Sequence, residues 1–254
     1  MLCSPSLVER GLGGEAFVMS NPYFQFKQFK INQDRCAMKV GTDGVLLGVW
    51  TDVSGVRSIL DVGTGTGLIA LMLAQRSPAA ILGIEIDVDA AAQAVENVQN
   101  SPWRERIKIE TVSLQTFTKN TDYRFDLIVS NPPYFNKSLK NPDAQRSVAR
   151  HTDSLSQQDL IVAVDALLSD SGRLAVILPT VEGLEFILQA EMSGLYCSKK
   201  TKVIPRIGAA EKRLLLEFSR AKSACREDSL LIEIERHCYS ERFRELTEGY
   251  YLEK

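Results

Sequence analysis

Residues 58–75 read Ser58-Ile59-Leu60-Asp61-Val62-Gly63-Thr64-Gly65-Thr66-Gly67-Leu68-Ile69-Ala70-Leu71-Met72-Leu73-Ala74-Gln75, and this stretch decides the fold. Ser58 to Val62 is a short apolar run suited to a buried strand, and Leu68 to Gln75 continues as a helix. Three glycines between them let the backbone turn tightly and let a ligand lie against it with no Cβ in the way. The spacing is Gly-x-Gly-x-Gly. A dinucleotide fingerprint needs its third glycine at residue 68, where Leu68 stands, so the loop argues for a nucleotide-type ligand and against NAD.

Outward from the loop, the chain repeats strand and helix. Ser58–Val62, Ile81–Ile86, Ile107–Ile109, Phe125–Val129 and Arg173–Leu178 are β-branched or apolar runs separated by stretches of helical spacing. Ala90, Ala94, Val95 and Val98 fall on one face of a helix from Asp89, a capping residue, to Asn100, and Ser101-Pro102 stops it. A second helix runs from the N-cap Ser156 to about Leu168, with Ser171-Gly172 as the turn into the next strand. Leu195–Val203 and Arg213–Phe218 have only the loop Ile204–Gly208 between them and predict an antiparallel pair at the end of the sheet. The expectation is an α/β fold: a mainly parallel seven-stranded sheet with helices on both faces and an antiparallel terminal strand pair. Residues 21–50 form an N-terminal extension or lid, and residues 1–20 a flexible leader.

Gly83-Ile84-Glu85-Ile86-Asp87 closes the second strand and sets Glu85 about 20 residues beyond the glycine loop, where a carboxylate accepts from both hydroxyls of a ribose. Loop and carboxylate together predict an adenosyl-ribose ligand at the carboxyl ends of the strands. Which cofactor carries it stays open at this point.

Phe125-Asp126-Leu127-Ile128-Val129-Ser130 runs directly into Asn131-Pro132-Pro133-Tyr134. Two prolines have no amide donors and hold the loop stiff, so the Pro132 carbonyl and the Asn131 side-chain oxygen can both accept from one incoming amino group. An exocyclic base amine is a poor nucleophile, because its lone pair is delocalised into the ring. Accepting from both of its N–H groups lets positive charge develop on nitrogen, with no strong general base. Tyr134 offers a flat face for a base taken out of its stack.

These residues resemble the S-adenosylmethionine-dependent amino-methyltransferases, whose fold is the Rossmann-like class I methyltransferase. The likeness extends to Phe26-Lys27-Gln28-Phe29, to Cys36 through Gly44, to Ser101-Pro102-Trp103 and to Tyr239–Leu252, which are similar to the bacterial tRNA1(Val) adenine-N6-methyltransferases. It implies one methyltransferase domain over 21–254 and methyl transfer from S-adenosylmethionine to N6 of adenine 37, just 3′ of the anticodon. It also implies that Lys39, Gly41, Thr42 and Asp43 cover the methionine end of the cofactor. Below them would lie Asp61, Gly63, Thr64, Gly65 and Gly67, beside Asn131, with Glu85 and Ile86 on the ribose. Related enzymes commonly carry an Asp after the third strand to accept from the cofactor's adenine. Here Ser113-Leu114 stands in that place, and a hydroxyl accepts more weakly than a carboxylate.

The 254 residues are 44% hydrophobic and 24% charged, an ordinary globular composition that excludes disorder and collagen-like repeats, and the net charge of −2 excludes a wholly basic nucleic-acid binder. Local charge matters more. Lys199, Lys200, Lys202, Arg206, Lys212, Arg213, Arg220 and Lys222 face only Glu211 and Glu217 in their segment, Lys27, Lys30, Arg35 and Lys39 precede the first helix, and Lys137, Lys140, Arg146 and Arg150 follow the Asn-Pro-Pro-Tyr loop. These are candidate phosphate contacts for an RNA partner.

No apolar run approaches the roughly 20 residues of a membrane span, and Glu9-Arg10 interrupts any signal-peptide core. Five scattered cysteines suit free thiols in the cytoplasm, with Cys36 and Cys197 as packing residues. With only His151 and His237 no metal site is expected, and His151 reads as a loop residue that methyl transfer does not need. The expected assembly is a monomer or weak homodimer. The same tetrapeptide also serves guanine-N2-methyltransferases of ribosomal RNA and protein-glutamine N5-methyltransferases, which are the nearest alternatives. A cofactor-sensing module without turnover is a more distant one.

Overall fold

The computed structural model describes residues 21–36, 38–133 and 155–252. Strands β1 (Tyr23–Gln25) and β2 (Lys30–Asn32) form a hairpin, followed by helix α1 (Thr42–Trp50). The alternating core comprises β3 (Ser58–Val62), α2 (Leu68–Arg76), β4 (Ala80–Glu85), α3 (Val88–Gln99), β5 (Ile107–Thr111), α4 (Leu114–Lys119) and β6 (Phe125–Ser130). It continues through α5 (Gln157–Leu167), β7 (Leu168–Pro179), α6 (Thr180–Met192), β8 (Tyr196–Arg206), β9 (Arg213–Ser219), β10 (Arg226–Glu235), β11 (Cys238–Tyr239) and α7 (Glu241–Thr247).

The sheet order is β11-β10-β8-β9-β7-β6-β3-β4-β5. The seven expected strands are all present, and β8 and β9 pair antiparallel as read. Two points are corrected. Among the described residues the sheet has nine strands, because β10 lies parallel to β8 and β11 turns back on β10. The antiparallel pair is therefore not terminal: β9 sits between β7 and β8. In β10 the charged run Arg226-Glu227-Asp228 and the acidic Glu233 and Glu235 mask the strand pattern, leaving only Leu230-Leu231-Ile232 as a continuous apolar stretch.

Both faces of β3 are buried. Ile59, Leu127, Val129, Ala175 and Ile177 join α1 and α2 in one apolar cluster, while Leu60, Val62, Ile128, Leu174 and Val176 join α5 and α6 in the other. This is the period-2 alternation of strands covered on two sides.

Several local expectations shift. Asp87 rather than Asp89 caps α3, accepting from the Ala90 amide at 2.8 Å. Val95 is exposed, and the buried side of α3 carries Gln93 and Asn97 instead. The expected turn at Ser171-Gly172 is an irregularity inside β7, where the register jumps from Phe125↔Leu168 to Leu127↔Arg173. Strand β8 runs on to Arg206, shortening the loop before β9. Ser156 caps α5 as read, in a full capping box with Asp159.

The extension is part of the core. Gly44 to Trp50 of α1 are buried, and the Trp50 indole N–H donates to Thr201 Oγ1 at 2.9 Å. Phe26 and Phe29 are buried, with Phe29 edge-on to Trp103 and Phe26 stacked on Tyr251. The widely spaced aromatic residues singled out in the sequence thus meet in one cluster that pins both ends of the described chain to the sheet. Tyr250 donates to the Met72 carbonyl at 2.8 Å, tying the C-terminus to α2.

Candidate active site

Asp61, Glu85 and Asn131 lie at the carboxyl ends of three adjacent strands, Asp61 one residue before the end of β3, Glu85 at the end of β4 and Asn131 just past β6. Val62 lies opposite both Ile84 and Ser130 in parallel register, so Glu85 and Asn131 each emerge one residue beyond it, at the carboxyl edge of the sheet. The chain adds β4 and β5 on one side of β3 and then crosses to β6 on the other, and at such a reversal open α/β sheets leave a crevice for ligands.

The glycine loop is left-handed at each glycine, with φ of +68° at Gly63, +56° at Gly65 and +81° at Gly67. A side chain would strain these positions, and a Cβ on Gly63 would meet nothing within 4 Å, so the loop borders open space. Gly67 brings no side chain to cap α2. Asp61 supplies the missing acceptor from the strand: its Oδ2 accepts from the Ala70 amide at 3.1 Å and from Thr64 Oγ1 at 2.6 Å. Its Oδ1 is buried without a partner. Burial pushes this carboxyl up to about 7, against the lowering effect of the Thr64 and Ala70 hydrogen bonds.

Glu85 holds the far side of the loop. Its Oε2 accepts from the Gly65 amide at 2.9 Å, and its Oε1 accepts from the Ile86 and Asp87 amides at 2.8 and 3.0 Å. Asn97 was missed in the sequence. It donates to the Thr66 and Asn32 carbonyls at 2.9 and 3.0 Å and accepts from the Asn32 amide at 2.8 Å, clamping the extension onto the loop. A polar residue three positions after Ala94, on the apolar stripe of α3, was the available signal. Cys36 follows the clamped segment, its sulfur 4.0 Å from where a Gly65 Cβ would stand, and burial raises its thiol pKa.

At the diproline corner Ser130 is fully buried and donates to the Val62 carbonyl at 3.0 Å, fastening the strand end to the glycine-loop strand. Asn131 is half-buried, Pro132 buried and Pro133 exposed; Tyr134 lies outside the described residues. Behind the corner is a cavity of about 50 Å³ lined by Pro132, Leu160, Leu178 and Phe186 among others. On the other side, a Cβ on Gly44 would lie 4.0 Å from Asn131 Nδ2.

Asp43 pairs through Oδ2 with Arg213 Nε at 2.8 Å. Together with Thr42, Leu46, Val203, Pro205, Lys212 and Ile232 they line a groove of about 300 Å³ at the same edge. Lys39, Gly41 and Thr42 are exposed beside it in sequence. Ser113 is engaged locally: it caps α4, accepting from the Thr116 amide at 3.2 Å and donating to Thr116 Oγ1 at 2.8 Å, while Leu114 is buried. Its proton and one lone pair are therefore already used.

The basic residues separate by position. Lys199 sits 4.2 Å above the Trp50 ring and Lys200 is 3.0 Å from Glu227, both toward the amino end of β8. Lys202 and Arg206 are exposed further along β8, nearer the carboxyl edge, with Lys212 at the start of β9. In the extension Lys30 lies over Tyr23 and Arg35 pairs with Glu96, while the Lys27 amide donates to the Tyr250 carbonyl. Lys137, Lys140, Arg146, Arg150 and His151 lie outside the described residues. Among the described residues no group of three or more His, Cys, Asp or Glu could hold a metal ion, and no helix is long and apolar enough to cross a membrane.

A glycine cradle, acidic Asp61 and Glu85 near the ends of β3 and β4 and an uncharged diproline corner after β6 define a methyltransferase. Residues 45–204, more than half of the chain, match the family described as Methyltransferase small domain. The chain belongs to the tRNA1(Val) (adenine(37)-N6)-methyltransferase family. It is 50% identical over 235 residues to the protein of that name from Bacteroides fragilis, covering 92% of this chain and 99% of the relative. It is also 50% identical over 237 residues to the one from Trichodesmium erythraeum, with the same coverage. In fold it is similar to a predicted O-methyltransferase from Agrobacterium tumefaciens, with a TM-score of 0.63 at 21% identity over 82% of this chain and 96% of the other.

Proposed function

We propose that this enzyme methylates N6 of adenine 37 in tRNA1(Val), with S-adenosylmethionine as donor and the Asn131-Pro132 corner as the seat of the target amine. The observation that carries the reading is the Val62↔Ser130 register, which sets the diproline corner directly beside the glycine loop. Family membership at 50% identity supports the substrate, and a tRNA substrate puts the work in the cytoplasm.

The residues fit the donor. The unpartnered Asp61 Oδ1 suits the ammonium of the methionine end, the bare Gly63 and Gly65 backbone leaves room for the body of the ligand, and Glu85 retains lone pairs for ribose hydroxyls. Ser113, already bonded to Thr116, is a poor adenine acceptor, and the backbone around Leu114 takes that place. When bound, S-adenosylmethionine supplies a methyl group activated by its sulfonium charge. The chain's own work is to orient the amine. Asn131 Oδ1 and the Pro132 carbonyl each accept one N–H, which stabilises the positive charge that develops on nitrogen, and the surplus proton then passes to water. An uncharged corner suffices because the nitrogen becomes acidic only as it is alkylated. Lys202, Arg206 and Lys212 at the carboxyl edge meet the phosphates of the anticodon stem-loop, with Asp43 and Arg213 bordering the groove between.

The test is to incubate the protein with methyl-labelled donor and total RNA from cells lacking this activity, then digest to nucleosides. Label in N6-methyladenosine is expected, and it must vanish when adenine 37 of the tRNA transcript is replaced by guanine. Label in N2-methylguanosine, or in protein, would overturn the substrate assignment.

A further inference from the structure

We propose that Cys197 and Cys225 are an oxidation site: a thiol pair that closes to an intramolecular disulfide when a peroxide reaches it. Their sulfurs lie 3.5 Å apart although the residues are 28 positions apart in sequence. The topology causes the approach. Strand β10 runs parallel to β8 with Arg226 opposite Lys199, and this register brings Cys225, one residue before the pairing begins, to the level of Ser198 and its neighbour Cys197.

A disulfide needs about 2.05 Å between sulfurs. Cys225 is exposed and sits in the non-strand stretch leading into β10, so its side chain and local backbone are free to close that gap, while Cys197 is half-buried within β8. Accessibility also fixes the order. Cys225, as thiolate, attacks one peroxide oxygen; the O–O bond breaks, leaving Cys225 as the sulfenic acid and releasing hydroxide. Cys197 sulfur then attacks Cys225 sulfur, forming the S–S bond and breaking S–O, and its thiol proton leaves with the second hydroxide as water. Two thiols lose two electrons and the peroxide gains them, ending as two waters. Burial keeps Cys197 protonated until that second step.

The bridge would lie at the amino ends of β8 and β10, three strands away from β6 and level with Ile128, three residues before Asn131. It therefore ties the outer strand, and with it β11 and α7, to the sheet without touching the methyl-transfer corner.

The full-length protein, reduced and desalted, is treated with hydrogen peroxide, its remaining thiols are alkylated, and peptides are mapped without reduction, with methyl transfer assayed in parallel. Expected are a Cys197–Cys225 linked peptide that dithiothreitol dissolves, unchanged methyl transfer, and no linked peptide in Cys225→Ser. Cys225 as sulfinic or sulfonic acid with Cys197 still alkylated would overturn the proposal, as would a bridge from Cys225 to another cysteine. Because the mapping reads sulfur chemistry directly, it stands or falls independently of the substrate assignment.

Discussion

Gly44 stands against Asn131: a Cβ at residue 44 would lie 4.0 Å from Asn131 Nδ2 and 3.0 Å from Leu68 Cδ2. The first turn of α1 therefore closes directly over the diproline corner, and the Asp43–Arg213 pair one residue away ties that turn to β9. The bare Gly44 leaves the Asn131 amide room beside that helix.

Asn131→Ala should accordingly remove an acceptor for the developing charge while leaving the donor pocket intact. A loss of about 10²–10³ in kcat is expected, the usual cost of deleting one such group. Donor affinity, measured by titration calorimetry, should stay near wild type. Equal losses in turnover and donor affinity would move Asn131 out of the amine site.

Asp61 sets a pH dependence. Its carboxyl, ordinarily near 3.8, is raised to about 7 by burial, so its protonated form contributes stability that is fully present below the ordinary value and is lost as the pH rises through about 7. The ligand-free protein should weaken over that window, and Asp61→Asn should flatten the slope in denaturant titrations. Donor affinity should run the other way, strengthening as Asp61 ionises, because the ligand brings an ammonium. An Asp61→Asn protein with the wild-type pH profile in both measurements would exclude the assignment.

Glu85→Ala should leave the Gly65, Ile86 and Asp87 amides without their acceptor and slacken the loop. Hydrogen bonds to a charged group are worth about 1.5–3 kcal/mol, so donor affinity should fall roughly 10- to 100-fold, with Glu85→Gln intermediate. An unchanged dissociation constant would remove Glu85 from the donor site.

The lysines divide by partner. Lys199 and Lys200 are occupied by Trp50 and Glu227 at the amino end of β8, so Lys199→Ala and Lys200→Ala should leave tRNA affinity unchanged. Arg206→Ala combined with Lys212→Ala should weaken binding and lower the salt-dependence slope by about 1–2. The reverse pattern in salt-titrated binding would contradict this division.

Gly48 packs so closely on α2 that a Cβ would lie 2.7 Å from Met72 Sδ and 2.9 Å from Met72 Cβ. Gly48→Ala should destabilise the protein by about 1–3 kcal/mol through overpacking. Thermal unfolding reads this as a drop of about 2–4 °C per kcal/mol, and an unchanged melting temperature would show that the helices part freely.

What could be read from the sequence was what repeats locally. Strand β3, the glycine loop and the Ser156 cap follow from residue types a few positions apart, and their boundaries agree with the structure. Asn97 and Arg213 were invisible as site-shaping residues because their partners, Asn32 and Asp43, are 65 and 170 positions away. Strand β10 escaped because the charged Arg226-Glu227-Asp228 at its start and Glu233 and Glu235 at its end leave only the short run Leu230-Leu231-Ile232 apolar. The split of the basic residues was equally hidden: in sequence Lys199 and Lys202 are three apart, an odd separation that turns their side chains to opposite faces of β8.

The most direct measurement is a crystal structure of the protein with its methyl donor bound. The account predicts the methionine end beside Asp61 Oδ1 and the methyl carbon facing the Asn131 side chain and Pro132 carbonyl. A donor whose methyl points away from that corner, toward the α3 side of the glycine loop, would contradict it.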